Sequence, residues 1–385
     1  MSATQLVWFR PLSFMHDARE MFERLWKEEA KQVLNIPEQQ IVCYTESEAP
    51  YYYFSEKNVF RSEKSVAVVD IGGGSTDIVL FEQRVPKLAN SVHFGCDVLW
   101  SNGFNNMQNA KNNGVFLFYK DRVKFNDEEL NAIYEEMTKP DSMASSCDII
   151  NFWLTNRNKV EVEKWLRKDF QPLFLYHFVA VMFYLAIMFR SKELDAPRSI
   201  VLSGNGSRYI DSCITNDTAI LEKLICHVFN EVYEGDLKQE LQVVLPPVRK
   251  ESTCYGGLFR DPSLHAPATY LFMGVDSRQY DDIAQLETAF HEELCSKLVK
   301  QIGRLNKVYL EVLQMLTREL DIEAIYIERV QELISGHVQD MLDKYFCSQV
   351  TDKYKTNQVY RDSLFFLPVV DIVFQLTQLK SEKKK

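Results

Sequence analysis

Eight residues constrain this chain more than any others: Asp70-Ile71-Gly72-Gly73-Gly74-Ser75-Thr76-Asp77, following the buried-strand pattern of residues 66–70. A strand that ends in a carboxylate delivers that charge to a fixed place. Three glycines then let the backbone turn tightly and leave amides uncovered where a Cβ would block approach. Successive uncovered amides cradle anionic oxygens. The Ser75 hydroxyl and a second carboxylate, Asp77, suit a phosphate with hydrated magnesium, an ion that takes oxygen ligands and keeps several waters. A second strand over residues 78–81 makes the whole a hairpin. The bland alternative is a glycine-rich turn with no ligand, and the full string after a buried strand favours the phosphate.

Composition bounds the rest. A chain of 385 residues suggests two or three domains, and 46% hydrophobic residues are enough for a substantial core. The formal net charge of −10 argues against general nucleic-acid binding, which needs a basic footprint. Eight cysteines are scattered with no C-x-x-C pair, so reduced thiols in a cytoplasmic protein are the simplest expectation. The first ten residues lack the pattern of a signal peptide. Residues 172–189, PLFLYHFVAVMFYLAIMF, are at the lower limit for a membrane span. A helix buried among its neighbours, with His177 neutral, is the favoured alternative, because the phosphate motif demands a soluble fold.

Periodicity predicts a strand at residues 6–9, a helix over about 15–34 and a strand at 41–44. Further strands are predicted at 91–94, 199–202 and 242–245, followed by a short segment, 250–259, that contains Gly256-Gly257. Residues 102–158 change composition and read as an inserted subdomain with a helix near 127–137. The last third is helical, with apolar residues every three or four positions from Ile283 to Leu320, then over 325–346 and 364–379. Its final residues, SEKKK, read as a solvated tail.

The string DIGGGSTDIVLF closely resembles the second phosphate motif of the actin, hexokinase and 70-kilodalton heat-shock-chaperone superfamily, the actin-like ATPases. The resemblance implies ATP and Mg2+ as ligands. It implies that Asp70 holds the metal through water, that Gly72, Gly73 and Gly74 offer amides to phosphates, and that Ser75 and Asp77 complete the phosphate and ion shell. The string RSIVLSGNGSR, residues 198–208, resembles the adenosine motif. There Gly204, Asn205, Gly206 and Ser207 would pass close to the nucleoside and Arg208 could stack on adenine. His93-Phe94-Gly95-Cys96-Asp97 resembles a chaperone step after the third strand, with Cys96 where the family has glycine. ESTCYGGLF, residues 251–259, resembles the closing helix, with Gly256 as a nucleotide contact. Glu46 lies where the chaperones place a carboxylate that positions water, a general-base role; Glu48 is its rival.

The resemblance covers roughly residues 5–260 and starts in the middle of a first lobe. The family's other hairpin, D-x-G-[ST], has no counterpart here. The expected fold is therefore α/β: a ribonuclease-H-like, actin-like ATPase lobe, preceded by the end of a first lobe and followed by a helical C-terminal extension. The expected domains are 1–62, 63–262 and 263–385. The expected function is ATP binding and hydrolysis by a chaperone-like or actin-like protein, as a C-terminal fragment of a longer ATPase. The alternatives are a non-catalytic nucleotide-sensing or partner-binding module and a small-molecule kinase of the same superfamily. The C-terminal stripes could serve self-association or a protein partner, or pack back on the chain's own lobe.

Overall fold

A computed structural model describes residues 5–12, 16–60, 64–100, 115–139, 142–144, 146–235, 237, 240–247, 249, 251–260, 269–320, 322, 324–336 and 338–379. Part of the expected inserted subdomain, 102–114, and the terminal tail, 381–385, lie outside these residues. The chain opens with β1 (Leu6–Arg10), α1 (His16–Leu34), β2 (Ile41–Thr45) and α2 (Ala49–Glu56). There follow β3 (Val66–Ile71), β4 (Thr76–Glu82) and β5 (Val85–Val92), then the helices α3 (Asp97–Trp100), α4 (Val115–Tyr119), α5 (Glu128–Thr138), α6 (Ser146–Thr155) and α7 (Val162–Ser191). The lobe closes with β6 (Ser199–Ser203), α8 (Thr218–Val232), β7 (Gln242–Val244) and α9 (Glu251–Phe259). The extension contains α10 (Ile283–Ala289), α11 (Cys295–Met315), α12 (Ala324–Ile334), α13 (Val338–Phe346) and α14 (Phe366–Gln378).

Five strands form one sheet in the order β5-β4-β3-β6-β7. β3, β4 and β5 pair antiparallel, whereas β3, β6 and β7 pair parallel. This is the ribonuclease-H-like order expected from the sequence. β3 is central and buried on both faces, which is why Val66-Ala67-Val68-Val69 is a continuous apolar run rather than an alternating one. The two-residue turn between β4 and β5 places Gln83 and Arg84 at φ +50 and +67, the primed-turn geometry that suits a twisted hairpin. β5 begins six residues earlier than its expected strand, because Leu88 and Ala89 pair with Leu80 and Val79.

α2 and α9 cross-connect the chain. α2 lays Tyr51, Tyr52 and Phe54 on one face of the five-stranded sheet, against Val66, Val68, Val79 and Phe81; Tyr51 stacks on Phe81 with centroids 3.8 Å apart. α9 belongs to the end of the lobe yet packs on α2 and on β1. Residues on both sides of position 62 thus share one core cluster, whereas Trp8, Ala30 and Ile41 form another wholly before it. β1 and β2 form a separate parallel pair with α1 beside it.

α7 covers the other face of the sheet. It begins ten residues before the apolar run that signalled it. By length and a mean hydropathy of 2.0 it could cross a membrane, but its apolar window is entirely buried in protein. Its polar side chains have protein partners: Tyr176 donates to Asn306 (3.0 Å), Tyr184 to the Phe272 carbonyl (2.8 Å) and Gln171 to the Ile214 carbonyl (3.1 Å). α11 runs against it, burying Leu298, Ile302, Leu305, Tyr309 and Val312. The stripes considered for self-association thus pack back on the chain's own lobe.

Candidate functional site

Three loops converge where β3, β5 and β6 end. The glycine turn closes on itself, with the Gly72 amide donating to the Ser75 carbonyl at 2.8 Å. The loop after β5 docks on it: the Cys96 and Asp97 amides donate to the carbonyls of Gly72 (3.0 Å) and Gly73 (2.8 Å). The turn after β6 lies against the same backbone. A Cβ on Gly206 would sit 2.4 Å from the Gly72 carbonyl oxygen, and one on Gly95 would sit 2.2 Å from that of Gly73. Gly204, at φ +80, adopts a conformation that favours glycine and lies against Asp70 Oδ1. The spacing of these glycines is therefore set by backbone-to-backbone contact among three loops that are distant in sequence.

His177 fastens the assembly from beneath. Its Nε2 lies 3.0 Å from the Gly95 carbonyl and its Nδ1 2.7 Å from the Tyr209 hydroxyl. A carbonyl only accepts, so Nε2 carries the proton and Nδ1 accepts from Tyr209. Burial lowers its pKa to about 4, so the ring is neutral, as the sequence suggested. Phe94 stacks on its face at 4.4 Å.

The site residues chosen from sequence divide into groups. Asp70 is half-buried at the end of β3, with Gly204 against its carboxylate. Gly73 and Gly74 lie at the mouth of a cavity of about 350 Å³. A Cβ on Gly74 would meet no atom within 4 Å, so the turn is open there. Ser75 is half-buried beside them. Asn205 carries a buried side-chain oxygen with no hydrogen-bond partner, an acceptor that a ligand's amino or hydroxyl group would satisfy. Arg208 reaches Thr155 at 3.0 Å.

Four expectations are corrected. Gly72, expected to offer its amide to a phosphate, has that amide committed inside the turn to the Ser75 carbonyl. Asp77, expected in the metal shell, is 6% exposed and accepts from Ser47 and Ser91, each at 2.5 Å. Burial raises its pKa, with nearby Glu46 adding to the rise and the two hydroxyls opposing it. It braces the turn to the loop before α2 rather than facing a ligand. Ser207 is fully buried, donating to the Gly204 carbonyl (2.7 Å) and accepting from Arg249 (3.0 Å). Gly256, expected near the nucleotide, is the crossing point of two helices, since a Cβ there would fall 1.8 Å from the Ala49 carbonyl oxygen.

The loop before α2 resolves the rivalry between two acids. Glu48 is fully buried, bonded to Thr45 and paired with Arg260 at 3.4 Å, and burial raises its pKa. Arg260 also lies over the Tyr44 ring at 4.2 Å. That arrangement is structural. Glu46 is half-buried and close enough to bear on Asp77, which places it at the site's edge.

Several contributors had no local signal in the sequence. Ser47 and Ser91 hold Asp77. Arg249, buried against Ser207 and Asp211 (2.8 Å), holds the turn after β6. From the extension, Asp362 pairs with His93 at 2.5 Å, and its hydrogen bond holds that imidazole above its usual pKa. Phe366 stacks on Phe94 at 4.3 Å. His177 likewise carried no sign of its role in the sequence, where it stood only as a polar residue in an apolar run.

The Ppx/GppA phosphatase family matches residues 26–155, from within α1 to the end of α6. Among solved structures, the chain is similar to MreB5 of Spiroplasma citri bound to AMPPNP, at 11% identity and a TM-score of 0.31, covering 66% of each chain. It is similar to Ta0583, an archaeal actin homologue, at 13% identity and a TM-score of 0.25, over 56% of this chain and 54% of the other. It is also similar to a non-polymerisable quadruple mutant of pCBH ParM, at 15% identity and 0.27, over 66% of this chain and 67% of the other. The chain thus spans from about half to two thirds of these structures. No curated protein matches it in sequence.

Proposed function

We propose that this chain is an actin-like ATPase relative that binds ATP with magnesium at the convergence of its three loops. The convergence itself carries this reading. Two glycine-rich turns and the loop after β5 are held in mutual contact, leaving Gly73 and Gly74 at an open mouth, Asp70 beside them and an unpaired acceptor on Asn205. Uncovered amides next to a carboxylate suit a phosphate chain and a hard cation. Asp70 would hold the metal, whose role is to neutralise phosphate charge. Gly73 and Gly74 would supply amides, and Glu46 is the acid placed to take a proton from water.

Hydrolysis needs a second phosphate hairpin opposite the first. The cytoplasm is the proposed setting, supported by the scattered cysteines. A chaperone-like output rests on the Glu46 and His93 strings alone. The family match favours a second reading, a phosphatase acting on another phosphate ester or anhydride.

Calorimetric titration of MgATP into the purified chain tests the binding step. Saturable binding is expected, weakened tenfold or more by Gly74→Val, at a position where an added Cβ would meet no protein atom within 4 Å. Asp70→Ala should remove the magnesium dependence. Equal affinity of Gly74→Val and the parent would show that the turn is only structural. A panel of phosphate esters and anhydrides, scored by phosphate release, separates the ATPase from the phosphatase.

A further inference from the structure

The cavity beside Gly73 and Gly74 is not walled by the opening segments of the chain. Its far side is the C-terminal extension, through Gln349, Lys353, Tyr354 and Asp362, with His93 at the rim. The extension is fastened there at two points, the His93–Asp362 pair and the Phe94–Phe366 stack. Lys353 is exposed, lines the same cavity as Gly73 and Gly74, and carries its ammonium 5.8 Å from the centroid of the Tyr354 ring. Asp362 is engaged by His93, which leaves its charge locally balanced. Asp97, whose amide holds Gly73, also lines the cavity, and a carboxylate there suits a phosphate that arrives with a divalent cation. At about 350 Å³ the space falls in the range of small-ligand sites.

We propose that the extension forms the second wall of the phosphate site, with Lys353 gripping the outermost phosphate of a chain held on Gly73 and Gly74. The inference rests on the phosphate reading of the turn. It adds a consequence: ligand and extension are coupled, so occupancy tightens the segment from 347 to 366 onto the lobe. An ammonium–phosphate contact is charge-assisted and contributes about tenfold to a hundredfold in affinity.

The test is calorimetric titration of MgATP and of magnesium tripolyphosphate into the full chain and into Lys353→Glu and Lys353→Arg, with thermal unfolding as a control for folding. The expected result is at least tenfold weaker binding of both ligands by Lys353→Glu and near-parental binding by Lys353→Arg. Ligand should also slow proteolysis within residues 351–362. Should Lys353→Glu not fold, Lys353→Gln carries the same comparison. Equal affinity of parent and charge-reversed protein overturns the role of Lys353 while leaving the phosphate site standing. Failure of the parent to bind either ligand overturns both.

Discussion

Two stretches of this chain run strand, helix, strand, helix, and they end in different circumstances. β1–α1–β2–α2 and β6–α8–β7–α9 each pair their strands in parallel, and their last helices pack on each other. In the later stretch β6 also pairs with β3, so the sheet is five strands wide, and α8 buries Leu221, Leu224, Ile225, Val228 and Phe229. In the earlier stretch β1 pairs, among the described residues, only with β2. α1 leaves Met21 (54%), Leu25 (47%) and Trp26 (42%) exposed. An amphipathic stripe is written into a helix locally, but its burial depends on how much sheet and how many neighbours lie beside it.

The largest effect should come from placing the same charge in both helices. Leu224→Asp buries a carboxylate in a packed site and removes a core side chain, a loss of roughly 5 kcal/mol or more. Leu25→Asp on α1 should cost less than about 1 kcal/mol. Urea unfolding followed by circular dichroism measures both. A comparable loss at Leu25 would mean that α1 is covered in solution, by a second copy or another chain, and would break the comparison.

The joint between the two stretches is next. Gly256→Ala forces a methyl group onto the Ala49 carbonyl and must spread α2 from α9, at a cost of roughly 3 kcal/mol. Unfolding should then lose its single transition, with the β1–β2 unit melting first. An unchanged midpoint would mean that the crossing is looser than described.

The sequence carried the architecture of the central sheet well, and for a physical reason. β3, β4 and β6 are buried strands whose apolar runs and flanking glycine turns are local signals, so the strands could be located before any contact was known. Asp77, Ser207 and Gly256 had the right residue types but the wrong partners. Their roles depend on Ser47, Arg249 and Ala49, tens to hundreds of positions away, and spacing along the chain does not encode such contacts. α8 and α6 went unmarked among charged residues. The docking of α14 on Phe94 had no local signature at all.

His177 separates the two stretches by pH, because only the later one is fastened to a buried imidazole. Its folded pKa, about 4, lies below the ordinary value of 6.5. The unfolded chain therefore binds the proton first as pH falls, and stability drops from about pH 6.5 down to about pH 4. The loss attributable to this group is roughly 2 to 3 kcal/mol between pH 7 and pH 4. His177→Gln should be less stable at neutral pH and flatter across that interval. Parallel pH profiles for parent and variant would show that the His177 pKa is the same in the folded and unfolded chain, which would overturn its depressed folded value.

The smallest effect is the most specific, because it reads a single hydrogen bond between the earlier stretch and the glycine hairpin. Ser47 belongs to the loop before α2, Asp77 to the glycine hairpin, and the hydroxyl donates to Oδ2 at 2.5 Å. Ser47→Ala leaves that buried oxygen without this donor, at a cost of about 1 to 2 kcal/mol, while Ser91 still holds Oδ1. The donor favours the ionised carboxylate, so its removal raises the Asp77 pKa beyond its already elevated position. The folded state of the variant then takes up its proton at higher pH than the parent. The deficit should be greatest near neutrality and shrink as pH falls and both proteins protonate Asp77. A deficit of the same size at every pH would mean that Asp77 is protonated throughout, leaving the hydroxyl to fill space and the two stretches joined by packing at Gly256 instead.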